Sequence, residues 1–126
     1  SLRQAFPVAI GMPGWETPTG SFKVLQKISN PVWVHPVTGE RVEEQGPDNP
    51  LGSHWIAFHR DCEGRDAHDG EAWITIKGCT STGFHGTPHR WTVGRAVSHG
   101  CVRLYNENVH SLYRQVTLGT PVTVLP

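Results

Sequence analysis

His85-Gly86-Thr87-Pro88-His89-Arg90-Trp91-Thr92-Val93-Gly94-Arg95-Ala96-Val97-Ser98-His99-Gly100-Cys101-Val102-Arg103-Leu104 gathers more reactive side chains among small residues than any other part of the chain. Cys101 is the candidate nucleophile, because a thiol is the neutral-pH side chain most easily activated by deprotonation. His85 and His99 are the candidate bases, since imidazole titrates near neutrality. Gly86, Gly94 and Gly100 allow turns and a close approach of backbone to a substrate. Ser98-His99-Gly100-Cys101 suits a strand end or turn better than a helix interior. On extended backbone, positions i and i+2 share a face, so His99 and Cys101 would line one cleft wall. A lone Cys or His is more often core or solvated surface. The cluster is what points to covalent thiol chemistry.

Outward from this stretch the signals are mostly those of short strands. Downstream, Asn106 reads as the N-cap of a single helix in which Val109, Leu112, Tyr113 and Val116 recur at helical spacing. Gly119 ends it, and Pro121 to Leu125 returns as a strand. Upstream, Trp55-Ile56-Ala57-Phe58 and Trp73-Ile74-Thr75-Ile76 read as buried strands, with an exposed polar turn from Asp61 to Glu71 between them. Residues 29–52, broken at Gly46-Pro47 and Asn49-Pro50, read as one long irregular loop. Ser21 to Ile28 reads as one half-buried strand and Ala5 to Ile10 as another. Many short strands, turn-rich connections and one helix predict a mainly β fold.

The 126 residues make one domain, 1–126, large enough to bury a core. Its 11 basic and 11 acidic residues cancel. No basic stripe forecasts a nucleic-acid partner. No apolar run approaches the roughly 20 residues needed to span a bilayer. Ser1-Leu2-Arg3 reads as a domain edge, with any export segment or first strand lying outside it. Of the three cysteines, Cys62 and Cys79 remain a possible pair if Cys101 stays free. An exported protein could hold them as a disulfide and a cytosolic one as thiols.

These residues together resemble the catalytic domain of the bacterial L,D-transpeptidases, the cysteine-based family that cross-links the cell wall. Gly11-Met12-Pro13-Gly14 leading to Thr17-Pro18-Thr19-Gly20, with Phe22 and Val24, is similar to the family's opening. Gly46-Pro47-Asp48-Asn49-Pro50-Leu51-Gly52, followed by Trp55-Ile56, resembles its central loop. His85-Gly86-Thr87 and Ser98-His99-Gly100-Cys101-Val102-Arg103-Leu104 match its signature, and Gly119-Thr120-Pro121-Val122 resembles its closing strand. The resemblance covers nearly the whole chain and implies a β-sandwich or mixed sheet with one short helix after the cysteine motif. Val37 to Gln45 and Arg60 to Thr82, which includes Cys62 and Cys79, look like departures from the family pattern. They would form part of a lid.

By this resemblance Cys101 is the acylated nucleophile and His85 the general base. The Gly86 carbonyl would hold the imidazole in its productive tautomer. His99 would shape the cleft, and the N–H groups of Gly100 and Cys101 would donate to the oxyanion. A neighbouring imidazolium would favour the thiolate. Ser98, Thr87 and Arg103 are candidate substrate-binding residues; for Arg103 the competing role is a structural ion pair or carbonyl contact. The implied partner is a peptidoglycan stem peptide. D-Ala leaves, and an amine acceptor gives a 3-3 cross-link, or water gives L,D-carboxypeptidase activity. The resemblance also implies carbapenem sensitivity, no cofactor or metal, and a periplasmic or cell-surface location; a monomer is the default for so small a domain. Asn49 and Leu51 would organise the central loop. Trp33, Trp55, Trp73 and Trp91 read as core or cleft-wall aromatics.

Two other chemistries compete. His85, His89, His99 and Cys101 could offer nitrogen and sulfur ligands to zinc, but Pro88 disfavours a helical histidine pair and no Glu is placed as a base. A non-catalytic wall-binding module would leave Cys101 and His85 without a purpose.

Overall fold

A computed structural model describes residues 4–35, 38–44, 46, 48–62, 65–68, 73–76, 80–98 and 100–126, with 65–68 and 73–76 as backbone alone. In chain order the strands are β1 (Ile10–Gly11), β2 (Gly20–Lys23), β3 (Gln26–Ser29), β4 (Trp33–Val34), β5 (Arg41–Val42), β6 (His54–Asp61), β7 (Arg65–His68), β8 (Trp73–Ile76), β9 (Thr80–His85), β10 (Ala96–Ser98), β11 (Val102–Arg103) and β12 (Pro121–Val124). A 3₁₀ turn covers Arg90–Thr92 and the helix α1 covers Asn106–Gln115. The central sheet has the order β11-β9-β6-β3, with β11 parallel to β9 and the other pairs antiparallel. Smaller pairings are β2–β12, β4–β5 and β7–β8, all antiparallel, and β1–β10, which is parallel.

The sheet and helix meet over Val24, Ile56, Val102, Leu104 and Val109, all buried, with Phe6, Val8, Phe84, Leu112, Tyr113, Val116 and Val122 packed against them. Full burial of one such aliphatic side chain contributes roughly 1.5–3 kcal/mol. The 10-residue helix depends on this packing, since isolated helices below about 12 residues are marginal in water. Phe22, Phe58 and Phe84 pack with their rings tilted against one another, with centroids 5.3 and 5.1 Å apart.

Several sequence expectations are corrected in detail. Ser21 to Ile28 is two strands. At Val24 and Leu25 the chain leaves one partner for another: Val24 N–H donates to Thr120 O and Leu25 N–H to Ala57 O. Ala5 to Ile10 contributes only the end of β1 and an Ala9–Arg103 bridge. Residues 29–52 hold the β4–β5 hairpin, and the span Asp61 to Glu71 holds β7, which pairs with β8. Breaker residues bound these short strands without preventing them. The N-cap of α1 is Tyr105, and the Asn106 side chain makes no cap hydrogen bond. Trp55 is buried but Trp91 is 67% exposed, whereas Trp15, assigned nothing from sequence, is buried. The side chain of Trp73 lies outside the described residues.

Candidate active site

Register places the reactive groups. In the parallel β9–β11 pair Val102 faces Phe84 and Arg103 faces His85. Val102 and Phe84 belong to the core, so the alternating residues Cys101, Arg103 and His85 share the opposite face. Cys101 stands just ahead of β11, half-buried. Its Sγ lies 3.8 Å from the Ser81 carbonyl, to which the thiol donates. The backbone of Gly83 also hydrogen-bonds the sulfur. His85 is two residues farther along the same strand.

Opposite Gly83, strand β6 carries a bulge: Ala57 pairs with Gly83 and His59 with Thr82, leaving Phe58 as the extra residue. Gly83 cannot be larger. A Cβ there would sit 2.2 Å from the Ile56 carbonyl oxygen. The thiol therefore rests on a backbone surface brought close by glycine.

His85 is 4% exposed. Its Nδ1 lies 2.5 Å from the Gly86 carbonyl oxygen, which can only accept, so Nδ1 carries the proton. Burial, partly opposed by that hydrogen bond and reinforced by the charge of Arg103, pushes its pKa down to about 4. The ring is thus neutral at pH 7, and its Nε2 is a free base. Burial also raises the Cys101 pKa, against the pull of the Gly83 hydrogen bond and the Arg103 charge. Both shifts favour a neutral thiol and a neutral imidazole at rest. Trp55, the cross-strand partner of His85, flanks the ring with centroids 6.0 Å apart.

The Nε of Arg103 is buried with no hydrogen-bond partner among the described residues, and its guanidinium enters no ion pair among them. Ser98 and Thr87, assigned to substrate from sequence, are each 1% exposed. Ser98 Oγ donates to the Cys101 carbonyl and accepts from Gly100 N–H at 3.2 Å, while Thr87 Oγ1 accepts from His89 N–H. The Ser98 hydroxyl is engaged by the scaffold as donor and acceptor, and the Thr87 oxygen as acceptor. The Gly100 amide, read from sequence as an oxyanion donor, closes the Ser98–Cys101 turn in this conformation. His99 lies outside the described residues.

The flanking loop is set by Asn49, fully buried, whose Nδ2 donates to the carbonyls of Pro31 and Val42 and whose Oδ1 accepts from Leu51 N–H. Cys62 is disulfide-bonded and Cys101 is free, while Cys79 lies outside the described residues. Among the described residues no group of three His, Cys, Asp or Glu side chains could hold a metal ion. Among the described residues no helix is long and apolar enough to cross a membrane.

Sequence reasoning missed Asn106 as part of this region. Its Oδ1 accepts from both Ser53 N–H and Thr87 N–H at 3.1 Å. A helix-starting Asn followed by an apolar period reads as a cap, and only the tertiary fold reveals the other use.

Residues 1–124 match the sequence model described as the L,D-transpeptidase catalytic domain, YkuD. YqjB of Bacillus subtilis (strain 168), which carries an L,D-transpeptidase name, is 35% identical over 119 residues, covering 94% of this chain and 57% of its own length. YbiS of Escherichia coli (strain K12), similarly named, is 31% identical over 128 residues, covering 92% of this chain and 35% of its own. The chain therefore spans a part of the relatives it matches. In fold it is similar to L,D-transpeptidase 3 from Mycobacterium tuberculosis, with a TM-score of 0.61 at 22% identity over 96% of this chain and 44% of that one.

Proposed function

Since the chain belongs to the L,D-transpeptidase catalytic-domain family, we propose that Cys101 and His85 act as nucleophile and general base on a peptidoglycan tetrapeptide stem. The observation that carries this reading is the common face of β9 and β11. That face carries a half-buried thiol and, two residues farther along, a buried imidazole whose Nδ1 is committed to Gly86 O.

The neutral resting pair dictates the order of events. The thiol proton passes to His85 Nε2 as sulfur attacks the carbonyl of the stem's third residue, so a free thiolate need not accumulate. Arg103 stabilises the sulfur's developing negative charge through space and offers a cation to a substrate carboxylate. The Cys101 amide donates to the tetrahedral oxyanion, and Ser98 and Gly100 hold the turn that aims it. As the C–N bond breaks, His85 returns its proton to the departing D-Ala amine, leaving a thioester. An acceptor amine then attacks the thioester, giving up a proton to His85. The sulfur leaves as thiolate and takes that proton back. The product is a 3-3 cross-link.

We place this activity at the periplasmic or cell-surface side of a bacterium, where the substrate lies, with residues 1–126 as the catalytic domain of a monomer. The test is intact-mass spectrometry after incubation with a carbapenem, for wild type, Cys101→Ala and His85→Ala. The expected result is one adduct on wild type, none on Cys101→Ala and slow or absent formation on His85→Ala. An unmodified, folded and reduced wild type would sink the reading. Incubation with purified stem tetrapeptide, alone and with an amine acceptor, then separates transfer from hydrolysis.

A further inference from the structure

The His85 imidazole hangs between two chain segments distant in sequence. Gly86 O holds Nδ1 at 2.5 Å, and the backbone of Pro50 adds a weaker contact. The β6–β9 ladder joins them at the Trp55–His85 pair and through Gly86 N–H, which donates to His54 O at 3.3 Å. Asn106 adds a second tie, one residue farther out on each segment. Its single Oδ1 accepts from Ser53 N–H in the central loop and from Thr87 N–H directly after Gly86, both at 3.1 Å. Its carbonyl also accepts from Ser53 Oγ at 3.4 Å.

Two glycines make room for this amide. A Cβ at Gly86 would lie 2.0 Å from Asn106 Oδ1, and a Cβ at Gly52 would lie 2.4 Å from the same atom. Gly52 also has φ +64, a left-handed conformation that glycine adopts without penalty. The amide oxygen is thus built into the junction from both sides. Its Nδ2 has no hydrogen-bond partner among the described residues. The acceptor oxygen is the functional part of the side chain.

We propose that Asn106 is the positioning residue of the catalytic histidine, tying the Pro50–Ser53 loop to Gly86–Thr87 so that the Gly86 carbonyl keeps the ring in its Nδ1–H tautomer. The assignment of a catalytic role to His85 rests on the reading above; the tautomer does not. Loss of the tie frees Gly86 O to drift from Nδ1, and the ring then samples the Nε2–H form, which cannot take a proton from the thiol.

The experiment is long-range ¹H–¹⁵N correlation NMR of His85 at pH 7, together with the carbapenem acylation rate, in wild type, Asn106→Ala and Asn106→Asp. Thermal unfolding is recorded alongside. The expectation is a single Nδ1–H tautomer in wild type and a mixture in Asn106→Ala, with acylation slowed about tenfold or more. Asn106→Asp, which keeps the acceptor oxygen, restores both. Should Asn106→Ala not fold, Asn106→Ser, too short to reach both amides, takes its place. A folded Ala or Ser variant that retains the single tautomer and the wild-type rate overturns the proposal. So does an Asp variant that loses the tautomer as Ala does. If wild type is not acylated at all, the transpeptidase reading falls, while the tautomer comparison still decides the role of Asn106.

Discussion

Acidification should destabilise this protein through His85 before most of its carboxylates titrate. An exposed imidazole titrates at 6.5 and His85 at about 4 in the native state. Between those values the unfolded chain binds a proton that the folded chain refuses. The His85 contribution is therefore complete above 6.5 and is lost progressively as pH falls toward 4. At about 1.4 kcal/mol per pH unit, that loss is roughly 3 kcal/mol, a large share of a typical domain's stability. His54, lowered by burial and by the nearby charge of His110, acts in the same direction. The assay is urea unfolding followed by tryptophan fluorescence at half-unit steps from pH 4 to 8, for wild type, His54→Gln and His85→Gln. Carboxylate effects are common to all three, so the difference between wild type and His85→Gln isolates the buried ring. The wild-type curve should drop more steeply below pH 6.5 by roughly 3 kcal/mol in total. Parallel curves for wild type and His85→Gln would refute the claim that the ring is kept neutral by burial. The same argument puts the acid limb of the acylation rate near pH 4, far below that of an exposed histidine.

Two further outcomes follow from the site's geometry. Arg103→Gln removes the positive charge that favours the thiolate of Cys101; the thiol should titrate higher in an iodoacetamide rate profile, and acylation should slow by about tenfold, with partial recovery in Arg103→Lys. Gly83→Ala drives a methyl to 2.2 Å from the Ile56 carbonyl, where neither backbone can yield cheaply; unfolding should show a loss of about 2 kcal/mol or more, together with a Cys101 less reactive than its neighbours' stability alone would predict.

Much of this molecule was legible from residues alone where one physical signal dominated. The apolar period of Val109, Leu112 and Tyr113 placed the helix, and the run from Trp55 to Phe58 placed the central strand. The paired His85 and Cys101 motifs singled out the candidate site because so few residue types perform that chemistry. What stayed hidden depended on contacts between remote segments. The switch of partners at Val24 and Leu25 is hard to read locally, because it depends on the separate partners Thr120 and Ala57, both remote in sequence. Ser98 and Thr87 look like cleft hydroxyls until the fold shows their oxygens serving nearby backbone amides. The neutral state of His85 follows from burial, which no spacing of residues reveals.

The parallel pairing of β9 with β11 has a consequence for how this scaffold can vary. The spacing of His85 and Cys101 is set by the ladder between their strands and not by the length of chain that joins them. That connecting segment is anchored where β10 meets β1, while its tip carries an exposed Trp91 and a Gly94 with open space around it. Substitutions at the exposed Trp91 and insertions beside it therefore leave the spacing of His85 and Cys101 untouched, so the crossover is a part of this scaffold free to diverge in length and sequence.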